Sequence, residues 1–233
     1  MPAKRSKRYV AAEKLVDKKR QYSLQDAIAL LKQIPPTKSD QTLDIAFHLG
    51  VDPRQSDQMV RGTVALPHGS GKAVRVLVFA QGAAAEAAKS AGAEYVGFED
   101  LIKQVQEGFQ AFDVVIATPG AMQEVRKLGK ILGPRGLMPN PKIGTVTEDT
   151  GKAVKECKAG RVEFKVDKGA NLHVVCGKLS FAPEAIADNT KAVIDAVLRS
   201  KPSTARGKYI HSATLASTFS PGLKLDVSSF LSA

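Results

Sequence analysis

The segment from Lys127 to Val146, KLGKILGPRGLMPNPKIGTV, constrains the fold more than any other stretch of the chain. Its four glycines and three prolines prevent a long helix or a hydrogen-bonded strand from running through it. It also contains apolar residues such as Leu132, Leu137 and Ile143, which make it too hydrophobic for a disordered linker. A long ordered loop is uncommon and usually has a function or packs one structural unit against another. The sequence therefore predicts an ordered, loop-rich segment in the middle of the chain.

Both ends of the chain carry the alternation of apolar and polar residues that is typical of strands with one buried face. It occurs over 42–50 and again over 162–176, where the turn sequence DKGAN interrupts it, so we expect a β-hairpin in the second segment. Apolar residues at helical spacing predict one helix that ends at Pro35–Pro36 and another over 183–200. Further strands are predicted over 59–66, 208–216 and 223–227. The two ends together predict an α+β fold.

The middle of the chain has a different pattern. The strands predicted over 74–80 and 113–117 are apolar almost throughout. Between them the sequence predicts a helix over 83–91, a short strand at 95–96 and a helix over 99–106. Apolar strands that alternate with helices are typical of a parallel sheet covered on both faces. The middle segment therefore predicts a Rossmann-like α/β domain.

The order of these patterns predicts a two-domain α/β protein. Residues 1–66 and 160–233 form a discontinuous α+β domain, and a parallel-sheet domain of residues 67–159 is inserted into it. Because the chain crosses twice between the predicted domains, we expect a hinge near these crossings.

The charge of the chain indicates a polyanionic partner. Its formal net charge is +11 and its pI is about 9.6. Residues 1–66 contribute +5 and residues 160–233 contribute +4, whereas residues 67–159 carry only +2. Residues 1–20 are strongly basic and predict a solvated arm that can neutralise phosphates. Nucleic acid is therefore the expected partner of the domain built from both termini.

Cysteine usage and hydropathy predict a cytoplasmic protein. Cys157 and Cys176 lack the spacing of a disulfide framework or a zinc site, so we expect two reduced, structural thiols. No apolar run reaches the roughly 18 residues that a membrane span needs, and the N-terminal residues lack a signal-peptide core. The sequence predicts no association with membranes.

Two features of the middle segment raise the alternative of an enzyme that uses a small cofactor. One is the parallel sheet, and the other is Gly69-Ser70-Gly71-Lys72, which is similar to part of a phosphate-binding loop. The full motif is absent, because Leu66 and Ala73 stand at two of its required positions. The turn after the first strand of the segment also lacks the G-x-G-x-x-G pattern, and the four histidines are scattered. The sequence therefore predicts a tight turn at 69–72, with no catalytic residues, no metal site and no cofactor.

Five motifs spread along the chain carry a resemblance to a known family. The most specific is GPRGLMPNPKIGTV, within the glycine- and proline-rich segment. The others are DPRQSDQMVRGTVALPHGSGK (52–72), AGAEYVG (91–97), FDVVIATP (112–119) and KAGRVEFKVDK (158–168). With these motifs the chain resembles the L-one family of large-subunit ribosomal proteins.

The resemblance implies a structural RNA-binding protein and not an enzyme. A protein of this family binds 23S rRNA and forms the mobile stalk beside the exit site, where it assists the release of deacylated tRNA. The family also commonly represses translation by binding a similar element in its own operon messenger. The implied partners are therefore the large ribosomal subunit with its 23S rRNA stalk element, exit-site tRNA and the chain's own operon mRNA, and the free protein is expected to be a monomer.

The candidate RNA-binding residues lie on the polar faces of the terminal strands and in a turn near the C-terminus. Carboxylates such as Asp44 and Glu163 can accept hydrogen bonds from 2′-hydroxyls, so a face of mixed polarity suits folded RNA. An ordinary solvated sheet face is the competing interpretation. The candidates are Ser39, Thr42 and Asp44 around the first strand, Arg161, Glu163, Lys165, Asp167, Lys168 and His173 in the predicted hairpin, and Ser217, Thr218, Phe219, Ser220 and Gly222 in the turn.

The chain departs from the family at three of these positions. The family's Thr-Met-Gly turn corresponds to Thr218, Phe219 and Ser220, so an apolar contact is kept but a Cβ is added at the third position. Ser39 stands where the family commonly has an aromatic residue, so a stacking contact is absent there. Aromatic residues make up only 6% of the chain, which argues against recognition of single strands by a series of stacking platforms.

Overall fold

The structure is a computed structural model that describes residues 5–35 and 37–231, without the side chains of Lys142, Ser229 and Leu231. Pro36 and Lys4, which belong to the predicted helix end and the predicted basic arm, lie outside the described residues. The helices are α1 (Lys7–Leu15), α2 (Leu24–Gln33), α3 (Ala83–Ser90), α4 (Glu99–Gln106), α5 (Met122–Val125), α6 (Gly129–Leu132), α7 (Thr150–Lys158), α8 (Pro183–Arg199) and α9 (Ser228–Leu231). The strands are β1 (Thr42–Leu49), β2 (Arg61–Ala65), β3 (Val76–Phe79), β4 (Tyr95–Gly97), β5 (Val114–Ala117), β6 (Arg161–Lys165), β7 (Asn171–Lys178), β8 (Ile210–Ser217) and β9 (Leu223–Leu225).

The chain divides into two compact units. The first consists of Met1–Gly71 and Val162–Ala233, and the second of Lys72–Arg161. The first unit reaches beyond the predicted boundary at residue 66 because buried Asn189 of α8 accepts a hydrogen bond from the His68 N–H and donates one to the Gly69 carbonyl, both at 3.0 Å. That each unit is a domain able to fold alone stays a prediction.

An antiparallel four-stranded sheet in the order β7-β1-β8-β9 forms the centre of the first unit. The predicted alternation of β1 is confirmed, because Leu43, Ile45, Phe47 and Leu49 are each at most 1% exposed. This buried face packs against α8, which contacts β7, and against α2, which contacts β8 and β9. The opposite face of the sheet carries the polar residues.

The predicted hairpin between β6 and β7 is wrong. β6 pairs with β2 in a separate two-stranded sheet, whereas β7 pairs with β1. The ring of Phe164 packs so closely on Gly62 of β2 that a Cβ there would lie 2.7 Å from the ring. The Asp167 carboxylate accepts hydrogen bonds from the Gly169 and Asn171 amides at 2.8 and 2.7 Å, and this turn carries the chain from one sheet to the other. Alternation identifies a strand with one buried face, but it does not choose that strand's partner.

The segment predicted as a solvated basic arm contains a helix. Ser6 caps α1 by accepting a hydrogen bond from the Tyr9 N–H at 3.3 Å. Ala12 and Val16 are buried in the core of the first unit, at 0% and 7% exposure. This segment is thus anchored to the unit, and its basic side chains project from a helical scaffold.

The second unit is built on the parallel sheet β4-β3-β5, which confirms the predicted fold class of this segment. All four residues of β3 are buried, because helices cover both faces of the sheet. α7 was not predicted, although Asp149 caps it by accepting from the Lys152 N–H at 3.0 Å and its apolar residues recur at helical spacing.

The glycine- and proline-rich segment is ordered, as predicted. Leu132 and Ile143 are buried at 1% and 3% exposure, and Val146 makes an isolated parallel bridge to Ala117. Among the described residues, only short helical turns interrupt the loop: the 3-10 turn Arg126–Leu128 at its start, α6, and the 3-10 turn Pro141–Ile143. The segment is therefore an ordered, mostly irregular loop that packs within the second unit.

Replacing Asp113 by asparagine is expected to destabilise the second unit only above acidic pH. Lys72 and Arg75, at 2.7 and 3.0 Å, lower the pKa of the Asp113 carboxyl from 3.8 to about 2. The carboxylate therefore stabilises the fold above its ordinary pKa, and this contribution is lost as the pH falls through about 2. Because both cations are half exposed, we expect a loss of about 1 kcal/mol at neutral pH.

Thermal unfolding of Asp113→Asn and of the native chain between about pH 7 and pH 2 checks this expectation. The difference should shrink below about pH 4 and be only a small fraction of its neutral value near pH 2. Asp100→Asn, which changes an exposed carboxylate on α4, is the matched control. A difference that persisted unchanged at the acidic end would contradict the ion-pair explanation.

Candidate nucleic-acid interface

The outer face of the four-stranded sheet presents donors and acceptors of both signs. Asp44 lies opposite Val175 of β7 and Ala216 of β8, and Ala46 lies opposite His173 and Thr214. Because side chains alternate along a strand, the outward residues of neighbouring strands share one face. The outer face consists of Thr42, Asp44, Ala46 and His48 of β1, His173 and Val175 of β7, Ser212, Thr214 and Ala216 of β8, and Lys224 of β9.

Asp44 is a partly buried carboxylate flanked by cationic or titratable groups. Burial raises its pKa, while the charges of His173 and Lys178 act in the opposite direction. Lys178 also donates a hydrogen bond to the Thr42 hydroxyl at 2.9 Å. This corner of the face thus offers an ammonium, a hydroxyl and a carboxylate close together, which suits a ligand with alternating phosphates and hydroxyls.

The turn between β8 and β9, Ser217–Gly222, is tied to the start of β1 by hydrogen bonds. The Thr218 N–H donates to the Thr42 carbonyl and the Thr42 N–H donates to the Thr218 hydroxyl, both at 3.1 Å. The turn is therefore fixed at the end of the outer face, beside Thr42. We call it the β8–β9 turn.

The buried side chain of Gln41 also stabilises the β8–β9 turn. Its side-chain carbonyl accepts hydrogen bonds from the Ser217 hydroxyl at 2.8 Å and from the Phe219 N–H at 3.1 Å, and the residue is only 3% exposed. The Ser220 hydroxyl accepts from the Ser217 N–H at 2.8 Å. The backbone of the turn is thus rigid before any ligand arrives.

The predicted turn residues differ in what they present to solvent. Thr218, Phe219 and Gly222 are exposed, whereas Ser217 is buried at 5% exposure and serves the turn itself. Gly222 approaches its neighbour closely: a Cβ there would lie 2.8 Å from the Thr214 methyl group, so the Thr214 side chain would have to shift. Among the described residues other than glycine only Ala170 has a positive φ, so Ser220 adopts its conformation without backbone strain.

The predicted residues around β6 are not grouped with the outer face. The Arg161 guanidinium donates to the Glu156 carboxylate at 2.8 Å and to the Ile143 carbonyl, within the second unit. Glu163 forms an ion pair of 2.6 Å with Arg61. The backbone amides of the turn lower the pKa of the Asp167 carboxyl, so this group serves the turn as an acceptor. Lys165 and Lys168 are exposed, as is Ser39, which lies just before Gln41.

Three residues that sequence patterns did not single out contribute to the candidate site. They are Gln41, which is buried, Lys178, which reaches Thr42, and Arg8, whose guanidinium carbon lies 4.8 Å from the centre of the Phe219 ring. Gln41 lies just before β1, at a position that the alternation of apolar and polar residues in that strand assigns to the buried side. A polar residue at a buried position indicates an internal hydrogen bond. No sequence signal links Arg8 to Phe219.

The features that raised the enzyme alternative have structural explanations. Gly69 and Gly71 have positive φ values of 70° and 71° in a tight turn, as predicted, and the Lys72 ammonium contacts Asp113. The described residues contain no group of three or more side chains placed to hold a metal ion. Over the same residues, none of the helices combines the length and the apolar character that crossing a bilayer requires. Both cysteines are buried and free.

Comparison with known proteins gives the family. The chain matches the ribosomal protein L1p/L10e family over residues 30–221. It is 52% identical over 223 residues to the large ribosomal subunit protein uL1 of Lactobacillus delbrueckii subsp. bulgaricus, which covers 96% of each chain. Proteins of the same name from Renibacterium salmoninarum and Thermobifida fusca are each 53% identical to it, over 224 and 223 residues that cover 96% of this chain and 95% of theirs.

These matches confirm the resemblance carried by the sequence motifs. The relatives are named as ribosomal proteins, a structural family without enzymatic activity, so the alternative of a cofactor-using enzyme falls. The chain belongs to the ribosomal protein L1p/L10e family.

Proposed function

We propose that this protein is a structural component of the large ribosomal subunit whose first unit binds a folded element of 23S rRNA. In this role it forms the mobile stalk beside the exit site and assists the release of deacylated tRNA. The relatives named large ribosomal subunit protein uL1 support the assignment to the subunit. The observation that carries the proposal is the β8–β9 turn, which hydrogen bonds fix rigidly at the end of the outer face.

Rigid surfaces of mixed polarity suit folded RNA. Such RNA is recognised by its shape, its phosphates and its 2′-hydroxyls, and the last of these both donate and accept hydrogen bonds. On the outer face Asp44 supplies an acceptor, Lys178 a charged donor and Thr42 a hydroxyl within one corner. An ordinary solvated face does not need a turn held by a buried glutamine, and this argues against the competing interpretation.

We assign the primary contacts to exposed and partly buried residues that the fold brings together. These are Thr42, Asp44, His173, Lys178, Thr218, Phe219 and Gly222, with Ser39 beside them. Lys165 and Lys168 are assigned peripheral contacts with phosphates. Ser217, Ser220 and Asp167 maintain the turns, and Arg161 and Glu163 are engaged by Glu156 and Arg61.

The proposal also includes the cellular location of the protein and its other RNA partners. The protein acts in the cytoplasm as part of the ribosome, contacts exit-site tRNA, and represses translation by binding its own operon messenger through the same outer face. It is a monomer when free. These roles share one requirement, an RNA element that fits the outer face and the β8–β9 turn together.

Nuclease footprinting of the full chain on large-subunit rRNA tests the proposal. We expect protection of one folded element of 23S rRNA. The proposal would be refuted if no element were protected at a protein concentration that saturates binding in a filter assay. A shortened chain that joins residue 71 to residue 162 through a short linker is expected to bind within tenfold of the full chain, a difference of less than about 1.4 kcal/mol. A shortened chain that is folded by circular dichroism yet binds more weakly than that would assign part of the affinity to the second unit.

A further inference from the structure

We infer that Arg8 and Phe219 form a stacking site for one unpaired nucleobase of the RNA that the first unit binds. The inference rests on the proposed function and names a contact that the outer face alone does not supply. It joins α1 and the β8–β9 turn into one binding element.

The Phe219 ring is placed where a ligand can reach it. It is 45% exposed, and it is the one aromatic among the large apolar side chains that the described residues leave exposed. The Arg8 guanidinium carbon lies 4.8 Å from the ring centre, so one face of the ring carries a cation. With the cation on one face, a ligand would stack on the other face of the ring or meet its edge.

The ring is also held in place. Its own N–H donates to Gln41 at 3.1 Å, and its neighbour Ser220 accepts from the Ser217 N–H at 2.8 Å. Arg8 belongs to a helix whose Ala12 is fully buried, so the cation is mounted on the same unit as the ring. An exposed ring held in this way keeps apolar area in water without helping the core, which is typical of a binding residue.

A nucleobase is the occupant that these features favour. Bases that are splayed out of folded RNA stack on aromatic rings and on guanidinium planes, and stacking on one ring raises affinity by about five- to 150-fold per base. The cation on the far face of the ring is attracted to the ring and to nearby phosphates. The ring stands at the end of a polar face next to Thr218, where an apolar protein partner would have to bury hydroxyls and charges. The low aromatic content argues against a series of platforms, but one ring is enough for one base.

Affinity measurements on the full chain give the first test. Phe219→Leu is expected to weaken binding to the 23S rRNA fragment that footprinting defines by at least about fivefold, the lower end of what stacking provides. Met59→Leu, at another exposed apolar side chain of the first unit, is the matched control and should bind like the native chain. Arg8→Ala should lose more affinity than Lys14→Ala, which removes the same charge from α1, and the loss should shrink when Phe219 is already leucine. Phe219→Leu that binds like the native chain overturns the inference and leaves the proposed function intact.

Fluorescence gives a second test that does not depend on the 23S fragment. The chain has no tryptophan, so the variants Phe219→Trp and Met59→Trp each carry a single indole. A short single-stranded oligoribonucleotide at low salt is expected to quench the emission of Phe219→Trp strongly and the emission of Met59→Trp little. If the native chain fails to bind the 23S fragment while the emission of Phe219→Trp is still quenched, the stacking site stands and the proposed function fails. Equal quenching of the two variants overturns the inference.

Discussion

Replacing Asn189 by leucine is expected to lower the free energy of unfolding of the first unit by about 3 kcal/mol or more. Asn189 is fully buried and makes three hydrogen bonds: it accepts from the His68 N–H and donates to the Gly69 and Cys176 carbonyls, at 3.0, 3.0 and 2.9 Å. Leucine fills a similar volume but leaves all three backbone groups without this partner. Each unpaired buried group costs about 1–3 kcal/mol, and the Cys176 carbonyl lies where water does not reach it.

Denaturant unfolding of the full chain, followed by circular dichroism, measures this loss. Lys191→Leu, at an exposed position of the same helix, is the matched control and should change the unfolding free energy by less than about 0.5 kcal/mol. If the free energy of unfolding of Asn189→Leu were within about 1 kcal/mol of the native value, the expectation would be contradicted, because water would then have to replace the amide at all three backbone groups.

Replacing Thr218 by alanine is expected to weaken binding of the 23S rRNA element by roughly five- to 150-fold, which corresponds to about 1–3 kcal/mol. The Thr218 hydroxyl accepts the Thr42 N–H at 3.1 Å, so its removal unpairs that amide and loosens the β8–β9 turn from β1. The hydroxyl donates only a long hydrogen bond of 3.4 Å to the Thr42 carbonyl, and the residue is exposed. Its proton can therefore turn to a phosphate or a 2′-hydroxyl when RNA binds, so we expect a direct contact to be lost as well. Both effects act on binding, while the core of the first unit is untouched.

Two substitutions at the same position separate the hydroxyl from the shape of the side chain. Thr218→Ser keeps the hydroxyl and is expected to bind within about threefold of the native chain, whereas Thr218→Val keeps the shape and is expected to bind as weakly as alanine. The melting temperature should fall by no more than a few degrees in each case, because about 1 kcal/mol shifts it by about 2–4 °C in a chain of this size. Native affinity for Thr218→Ala would remove the turn from the interface and leave recognition to Thr42, Asp44 and His173.

Much of the fold follows from local patterns in the chain. The alternation in β1 and the continuous apolar character of β3 each predict which faces of a strand are buried, and both predictions are confirmed. Periodicity is sufficient here because burial of apolar area is the largest favourable term in folding and acts residue by residue. Family membership also follows from the motifs, because GPRGLMPNPKIGTV and its companions are specific.

The tertiary structure alone decided how these elements combine into a site. The same alternation suits β6 as a partner of β7 or of β2, and the close contact of Phe164 with Gly62 accompanies the pairing with β2. The sequence of α1 predicts a solvated arm, because the helix has few apolar residues and therefore no clear helical pattern. The helix is stabilised by burying Ala12 against the rest of the first unit, which only the tertiary structure shows.

In the candidate interface, too, sequence patterns did not reveal which distant residues contact one another. The outward position of Asp44 was readable from its strand, but the partners of the β8–β9 turn were not, because Gln41 and Thr42 are separated from Ser217 and Thr218 by 176 residues along the chain. A hydrogen bond between such distant residues leaves no periodic trace in the sequence. It exists only because β1 and β8 pair in one register, which places the buried Gln41 amide against the turn. The contact of Arg8 with the Phe219 ring likewise depends on how α1 packs on the first unit.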